Sequence, residues 1–205
     1  MDKISTHDDA IISDMAIRFT AGIDEAGRGP IAGPVCVGMV VMRKGNEKFL
    51  KGIKDSKKLS EKKREEWFEK IKQLKKEGKL DFCYKMVSNK IIDKKGIVFS
   101  VQLGIEKNLD GVKSSTKILL DGSLKAPAKF KSQKTIIGGD NKVKVISAAS
   151  VVAKVMRDKR MKLLAKKYPR YGLEKHKGYG TKEHYKKIKK FGLSRVHRKS
   201  YIDPI

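Results

Sequence analysis

Apolar positions recur along the chain in two rhythms. Residues 17–23 and 34–43 are dense in β-formers and are joined by the turn-rich link GRGPIAG, which predicts an antiparallel pair with a glycine-built turn after Asp24-Glu25. From Ser60 the period lengthens: Trp67, Ile71 and Leu74 recur at helical spacing, Ser60 is a suitable N-cap, Glu61 favours the first turn, and Gly78 closes the helix. Residues 80–87 read as a third strand, and from Ser88 one helix is predicted through Ile91, Lys94, Val98, Val101 and Ile105. Residues 117–120 form a short apolar strand ending in Asp121-Gly122. Residues 135–137 form another, ending in Gly138-Gly139-Asp140, and 147–167 read as a long helix. Strands alternating with helices after an opening hairpin predict an α/β layered domain, whose ligand sites gather at the carboxyl ends of central strands.

Length and composition narrow the class. The 205 residues, without internal repeat or Pro/Ser-rich linker, suit one continuous domain, and 39% hydrophobic residues are enough for a core. No apolar run approaches the roughly 18 residues of a membrane span. The N-terminus, MDKISTHDDAIISDM, lacks the basic start, apolar middle and cleavage site of an export signal, so a cytoplasmic protein with no membrane partner is expected. Cys36 and Cys83, far apart in apolar contexts, read as buried thiols rather than as a disulfide or zinc framework.

Charge then supplies a partner. Lys and Arg outnumber Asp and Glu by 49 to 23, a net +26, and the surplus thickens from Lys154 onward, as in the run from Lys186 to Lys190. For any single lysine a solvated helix face is the better reading; the one-sided accumulation favours a surface that tracks phosphates.

Against that background the acids at strand ends stand out: Asp24-Glu25 after TAGI, Asp121 after KILL and Asp140 after TIIGG. Taken singly, each reads as a turn or helix cap, and for Asp140 alone capping is the better reading. Four carboxylates at the mouth of one sheet repel one another and resist desolvation unless divalent cations neutralise them, and oxygen-only ligands suit Mg²⁺ or Mn²⁺. Two such ions about 4 Å apart are the arrangement for in-line displacement at phosphorus. Composition and spacing lead to a metal-dependent α/β protein acting on nucleic acid, without separating DNA from RNA.

Six blocks carry a more specific signal: GIDEAGRGPIAGPV (22–35), DSKKLSEKKRE (55–65), ILLDG (118–122), GGDNKVKVISAASVVAKVMRD (138–158), HKGYGTKEH (176–184) and SRVHRKSY (194–201). In this order the chain resembles ribonuclease HII, the type 2 ribonuclease H. The resemblance implies an α/β ribonuclease H-like fold: a mixed five-stranded sheet flanked by helices, its first and fourth strands neighbours, with a helical C-terminal portion. It places an extension at 1–16, the catalytic domain at 17–168 and a basic segment of the same unit at 169–205. It assigns Asp24, Glu25, Asp121 and Asp140 as the catalytic, metal-holding tetrad for two Mg²⁺ or Mn²⁺ ions. The implied activity is hydrolysis of RNA in RNA–DNA hybrids and incision 5′ of ribonucleotides embedded in duplex DNA, leaving 3′-hydroxyl and 5′-phosphate ends.

By the same resemblance, Gly27-Arg28-Gly29 senses the 2′-hydroxyl and Tyr179 packs on the sugar beside the scissile phosphate. Glycine lets the backbone approach a sugar closely, and the 2′-hydroxyl is what separates RNA from DNA; a bare tight turn and a packing tyrosine are the blander readings. Lys57, with Lys58, Lys177 and Lys182, is placed to contact phosphates. Ser150 and Lys154, one turn apart, either face the cleft or serve close packing, and His176, His184 and His197 read as structural or phosphate-facing. Arg195 replaces a frequent second proline of the family, so a looser loop is expected there. A monomer is expected, and YIDPI offers no clear motif for a replication-clamp partner. Two other classes remain open: a basic module that coats RNA or hybrids without cutting, and a ribonuclease H-like nuclease for DNA.

Overall fold

The computed structural model describes residues 18–53, 56–122 and 125–202; the predicted extension at 1–16 and Asp55 lie outside them. Five strands form one sheet in the order β3-β2-β1-β4-β5: β1 (Phe19–Ala26), β2 (Val35–Arg43), β3 (Leu80–Val87), β4 (Lys117–Asp121) and β5 (Gln133–Ile136). β1, β2 and β3 are antiparallel neighbours, whereas β4 runs parallel to both β1 and β5, so the sheet is mixed. Seven α-helices accompany it among the described residues: α1 (Glu61–Lys76), α2 (Asn89–Lys95), α3 (Ile97–Asn108), α4 (Gly139–Lys142), α5 (Lys144–Lys167), α6 (Leu173–His176) and α7 (Lys182–Phe191).

Strand alternation divides the core in two. Ala21, Ile23, Ile118 and Leu120 face α2 and α3, packing with Ile92, Val101 and Ile105. The intervening positions face α1 and α5, where Leu119 meets Val145 and Ile146, and Val40 and Met42 join Phe68 and Ile71. Small residues bring α5 close to the sheet: a Cβ on Gly22 would sit 2.4 Å from the Val145 carbonyl, and one on Gly38 would sit 2.5 Å from the Ala149 oxygen. A third cluster, with Ile31, Met161, Leu173, Ile188 and Val196, fastens the C-terminal segment to the β1–β2 link and the far end of α5.

The Ser60 hydroxyl caps α1 by accepting from the Lys63 amide, as the sequence predicts. Three expectations shift. The helix predicted from Ser88 is two helices, because Gly96, at φ +81°, breaks the backbone between them while the apolar period runs on. β1 continues through Asp24 and Glu25 to Ala26, since Asp24 still pairs with Gly38 and Glu25 with Val37. Cys36 is buried, with its thiol pushed up to about 12 by desolvation, but Cys83 on the edge strand is only half-buried.

Candidate active site

The site is built where β1 and β4 end side by side. Ile23 pairs with Leu120, so the next residues along the parallel strands are Asp24 and Asp121, both on the face covered by α5. The turn after β5 swings Asp140 towards them: Gly138 takes a left-handed conformation, and the Gly139 amide donates to Asp121 Oδ1 at 2.7 Å. The Ser147 hydroxyl donates to the Asp140 carbonyl at 2.6 Å, fixing this turn to α5.

Among the described residues, Asp24, Asp121 and Asp140 bring one carboxylate oxygen each within 4.8 Å of one another. Asp24 and Asp140 are both nearly inaccessible to solvent. Asp24 Oδ1 accepts from the Glu25 amide at 2.7 Å, while Oδ2 is buried without a hydrogen-bond partner. Burial, then the charges of Glu25 and Asp121, hold the Asp24 carboxyl well above its usual range, against the opposing pull of the Ser150 hydroxyl. A carboxyl group with one orphaned oxygen, clustered with two other carboxylates, fits a hard divalent cation, which would supply the missing ligand bond, draw off the proton and neutralise the repulsion. The three aspartates are therefore close enough to bind metal.

Glu25, the fourth predicted acid, projects from the opposite side of β1, as strand alternation requires. Arg28 donates to its Oε1 at 3.2 Å. Burial raises the Glu25 carboxyl, Arg28 lowers it, and the charges of Asp121 and Lys57 still reach it. Lys57 is exposed and donates to Asp140 Oδ2 at 3.3 Å, so it lies at the rim of the acidic group.

The structure brings Gly27-Arg28-Gly29 and Tyr179 together: the Tyr179 ring is 4.0 Å from where a Cβ on Gly29 would stand. Gly27, at φ +97°, rests directly on Arg157, whose Nε would lie 2.0 Å from a Cβ there. Tyr179 keeps nearly half its surface exposed beside the turn. Other sequence candidates divide. Ser150 meets Ser56 at 2.7 Å beneath the acids, whereas Lys154 is committed to Asp158 at 2.8 Å. Lys177 turns to the Glu174 carbonyl and Glu61. The three histidines pack together: His176 stacks on His184 at 4.2 Å, and His184 meets His197 at 3.1 Å, in keeping with the structural reading. Asn89 donates to the Arg195 and His197 carbonyls, tying down the loop expected to be looser.

Two buried arginines, Arg157 and Arg198, escaped the sequence reading. Arg157 donates to the carbonyls of Pro34, Lys177 and Ala32 at 3.0, 3.0 and 3.3 Å, and Arg198 lies beneath the glycine turn. In a chain with 49 basic residues nothing local marks these two as lying inside. Their places in the MRD and HRKSY blocks were the available hint.

Comparison with known proteins agrees with this geometry. The family model for Ribonuclease HII matches residues 21–203. The chain is 43% identical over 192 residues to Ribonuclease HII of Clostridioides difficile (strain 630), covering 94% of this chain and 73% of that one. Among solved structures, ribonuclease H2 from Pyrococcus horikoshii OT3 superposes with a TM-score of 0.69 at 30% identity, over 89% of this chain and 93% of that one. The PCNA:RNase HII complex from Archaeoglobus fulgidus gives 0.75 at 24% identity, over 91% and 96%. With an acidic group able to bind metal at the strand ends of a mixed five-stranded sheet, the chain belongs to the ribonuclease HII family of metal-dependent endoribonucleases acting on RNA–DNA hybrids.

Proposed function

We propose that this protein hydrolyses the RNA strand of RNA–DNA hybrids and incises on the 5′ side of ribonucleotides embedded in duplex DNA, leaving 3′-hydroxyl and 5′-phosphate ends. The observation that carries the reading is the buried, partnerless Asp24 Oδ2 beside Asp121 and Asp140. Asp24, Asp121 and Asp140, with Glu25 from the adjoining strand position, would hold two Mg²⁺ or Mn²⁺ ions. Bound there, the ions would supply Lewis-acid activation of a water and charge stabilisation at the leaving oxygen.

The chain's own residues do the rest. The Gly139 amide and the Ser147 hydroxyl fix the Asp121 carboxylate and the turn that bears Asp140 before substrate arrives. Lys57, at the rim, meets the incoming phosphate. The Gly27–Gly29 turn offers backbone groups to the 2′-hydroxyl, Arg28 pairs with a neighbouring phosphate, and Tyr179 lies against the sugar. The net charge of +26 draws the duplex in. The protein acts as a cytoplasmic monomer, with 169–205 as part of the catalytic unit. Among the described residues no helix is long and apolar enough to cross a membrane. The PCNA:RNase HII complex of the Archaeoglobus fulgidus relative supports a replication-clamp partner for this chain as well.

The test is cleavage of a labelled duplex carrying one embedded ribonucleotide, beside an all-DNA control, with Mg²⁺, Mn²⁺ or chelator. Metal-dependent incision 5′ of the ribonucleotide alone is expected. Binding without incision under either metal would favour a coating module, and comparable cutting of all-DNA would favour a DNA nuclease.

A further inference from the structure

Beneath the exposed turn and Tyr179, residues 196–198 run against the β1–β2 link. The Gly33 amide donates to the Val196 carbonyl and the Arg198 amide to the Ile31 carbonyl, both at 2.8 Å, and His197 bridges Ala32. Two consecutive side chains leave this splice for different halves of the site. Arg198, fully buried, donates through Nε to the Gly33 carbonyl at 3.0 Å and through its two terminal nitrogens to the carbonyls of Arg28 at 2.8 Å and Gly27 at 2.7 Å. All three bonds go to main chain and none to a carboxylate. A guanidinium held this way carries the cost of leaving water without the return of an ion pair; what it provides is a rigid fork that fixes the turn's carbonyls, which an ammonium would not reproduce.

His197 reaches the other half. A main-chain N–H can only donate, so the Ser194 amide, at 2.8 Å, makes His197 Nδ1 an acceptor and leaves the ring proton on Nε2. That proton faces His184 Nε2 at 3.1 Å, so His184 carries its own proton on Nδ1 and donates it to the Tyr179 carbonyl at 2.9 Å. His176 holds the same loop by accepting from the Gly178 amide at 3.2 Å. The chain of donors thus has one direction, from Ser194 through two neutral imidazoles to the backbone of Tyr179.

We propose that the His197-Arg198 pair, acting with His184, forms a buried bracket that sets the gap between the Gly27–Gly29 turn and Tyr179, and so sets the enzyme's discrimination of ribose from deoxyribose. None of the three touches substrate; they are positioning residues. The inference rests on the reading of the turn and Tyr179 as the sugar-sensing pair.

His184→Asn and His184→Leu separate positioning from mere folding, because the asparagine amide can still donate to the Tyr179 carbonyl and leucine cannot. On the embedded-ribonucleotide duplex, kcat of His184→Leu should fall about 100-fold, as expected when a reacting group is misplaced by an ångström. KM and calorimetric Mn²⁺ affinity should stay near wild type, and His184→Asn should keep most of the activity. Arg198→Ala should show the same kcat loss, partly restored by added guanidinium ion. Equal losses in both His184 variants, or losses that match the fall in folded fraction, would overturn the bracket. Wild-type protein that cuts all-DNA duplex as well as ribonucleotide-containing duplex would instead overturn the functional reading beneath it.

Discussion

At the scale of single residues, the acidic group works against the fold that carries it. Burial raises the Asp24 carboxyl, so the folded protein keeps that proton to a higher pH than the unfolded chain does, and the charge costs stability once it ionises. Asp24→Asn should therefore raise the melting temperature in chelator, because the amide oxygen can still accept from Glu25 while the repulsion disappears. The same variant should lose the stabilisation that Mg²⁺ or Mn²⁺ gives wild type, and with it turnover. Thermal melts with and without metal read both effects; a melting temperature unchanged in chelator would mean the charge is not strained. Asp121→Asn should keep hybrid binding while losing at least about 100-fold in single-turnover rate, with one anionic ligand gone and the shape kept. Tyr179→Ala should harm cleavage at an RNA-to-DNA junction more than binding of a long hybrid; equal losses in the two assays would return Tyr179 to a packing role.

Elements explain why some of this was legible in advance and some was not. A dense run of β-formers, buried on both faces, made β2 readable, and a serine cap with a helical period made α1 readable, because burial of that kind is written in the residues themselves. The break at Gly96 was hidden: Ile91, Val98, Val101 and Ile105 keep a helical period across it, and only a left-handed glycine interrupts the backbone. The convergence of Asp24 with Asp121 depended on β1 and β4 being parallel neighbours, which the resemblance implied and periodicity alone could not. Arg157 and Arg198 were marked only by their places in the MRD and HRKSY blocks, since a buried cation satisfied by carbonyls leaves no local pattern, and the direction of the histidine pair left none either. Packing at this scale is testable. Gly38→Ala places a methyl 2.5 Å from the Ala149 oxygen and should cost about 1–3 kcal/mol by denaturant unfolding. The His184–His197 contact, faced also by His176, Tyr171 and Ser194, should lend an acid edge to stability. Burial lowers His184 from 6.5 to about 4, so the unfolded chain takes up the proton first. Stability is full above about pH 6.5 and falls towards pH 4, by on the order of 3 kcal/mol. In His184→Leu that loss should shrink.

For the molecule as a whole, charge and chemistry have separate places. The site's acids form a small group, buried at Asp24 and Asp140 and half-buried at Glu25 and Asp121, while lysines and arginines crowd the surface, so salt should act on capture rather than on the chemical step. KM for a hybrid should rise steeply with salt, with kcat nearly constant, because phosphate contacts release condensed counterions. A kcat that falls in parallel would place screening inside the site. The helix that links these regions carries a consequence of its own. α5 places Ser150 beside the acids and Arg157 under the glycine turn, seven residues and about 10 Å further along. It is a ruler between the bond to be cut and the sugar to be recognised. Lengthening it by one residue between these positions would shift one end by about 1.5 Å and rotate it by about 100°, giving an enzyme whose two judgements, where to cut and what to cut, no longer refer to the same nucleotide.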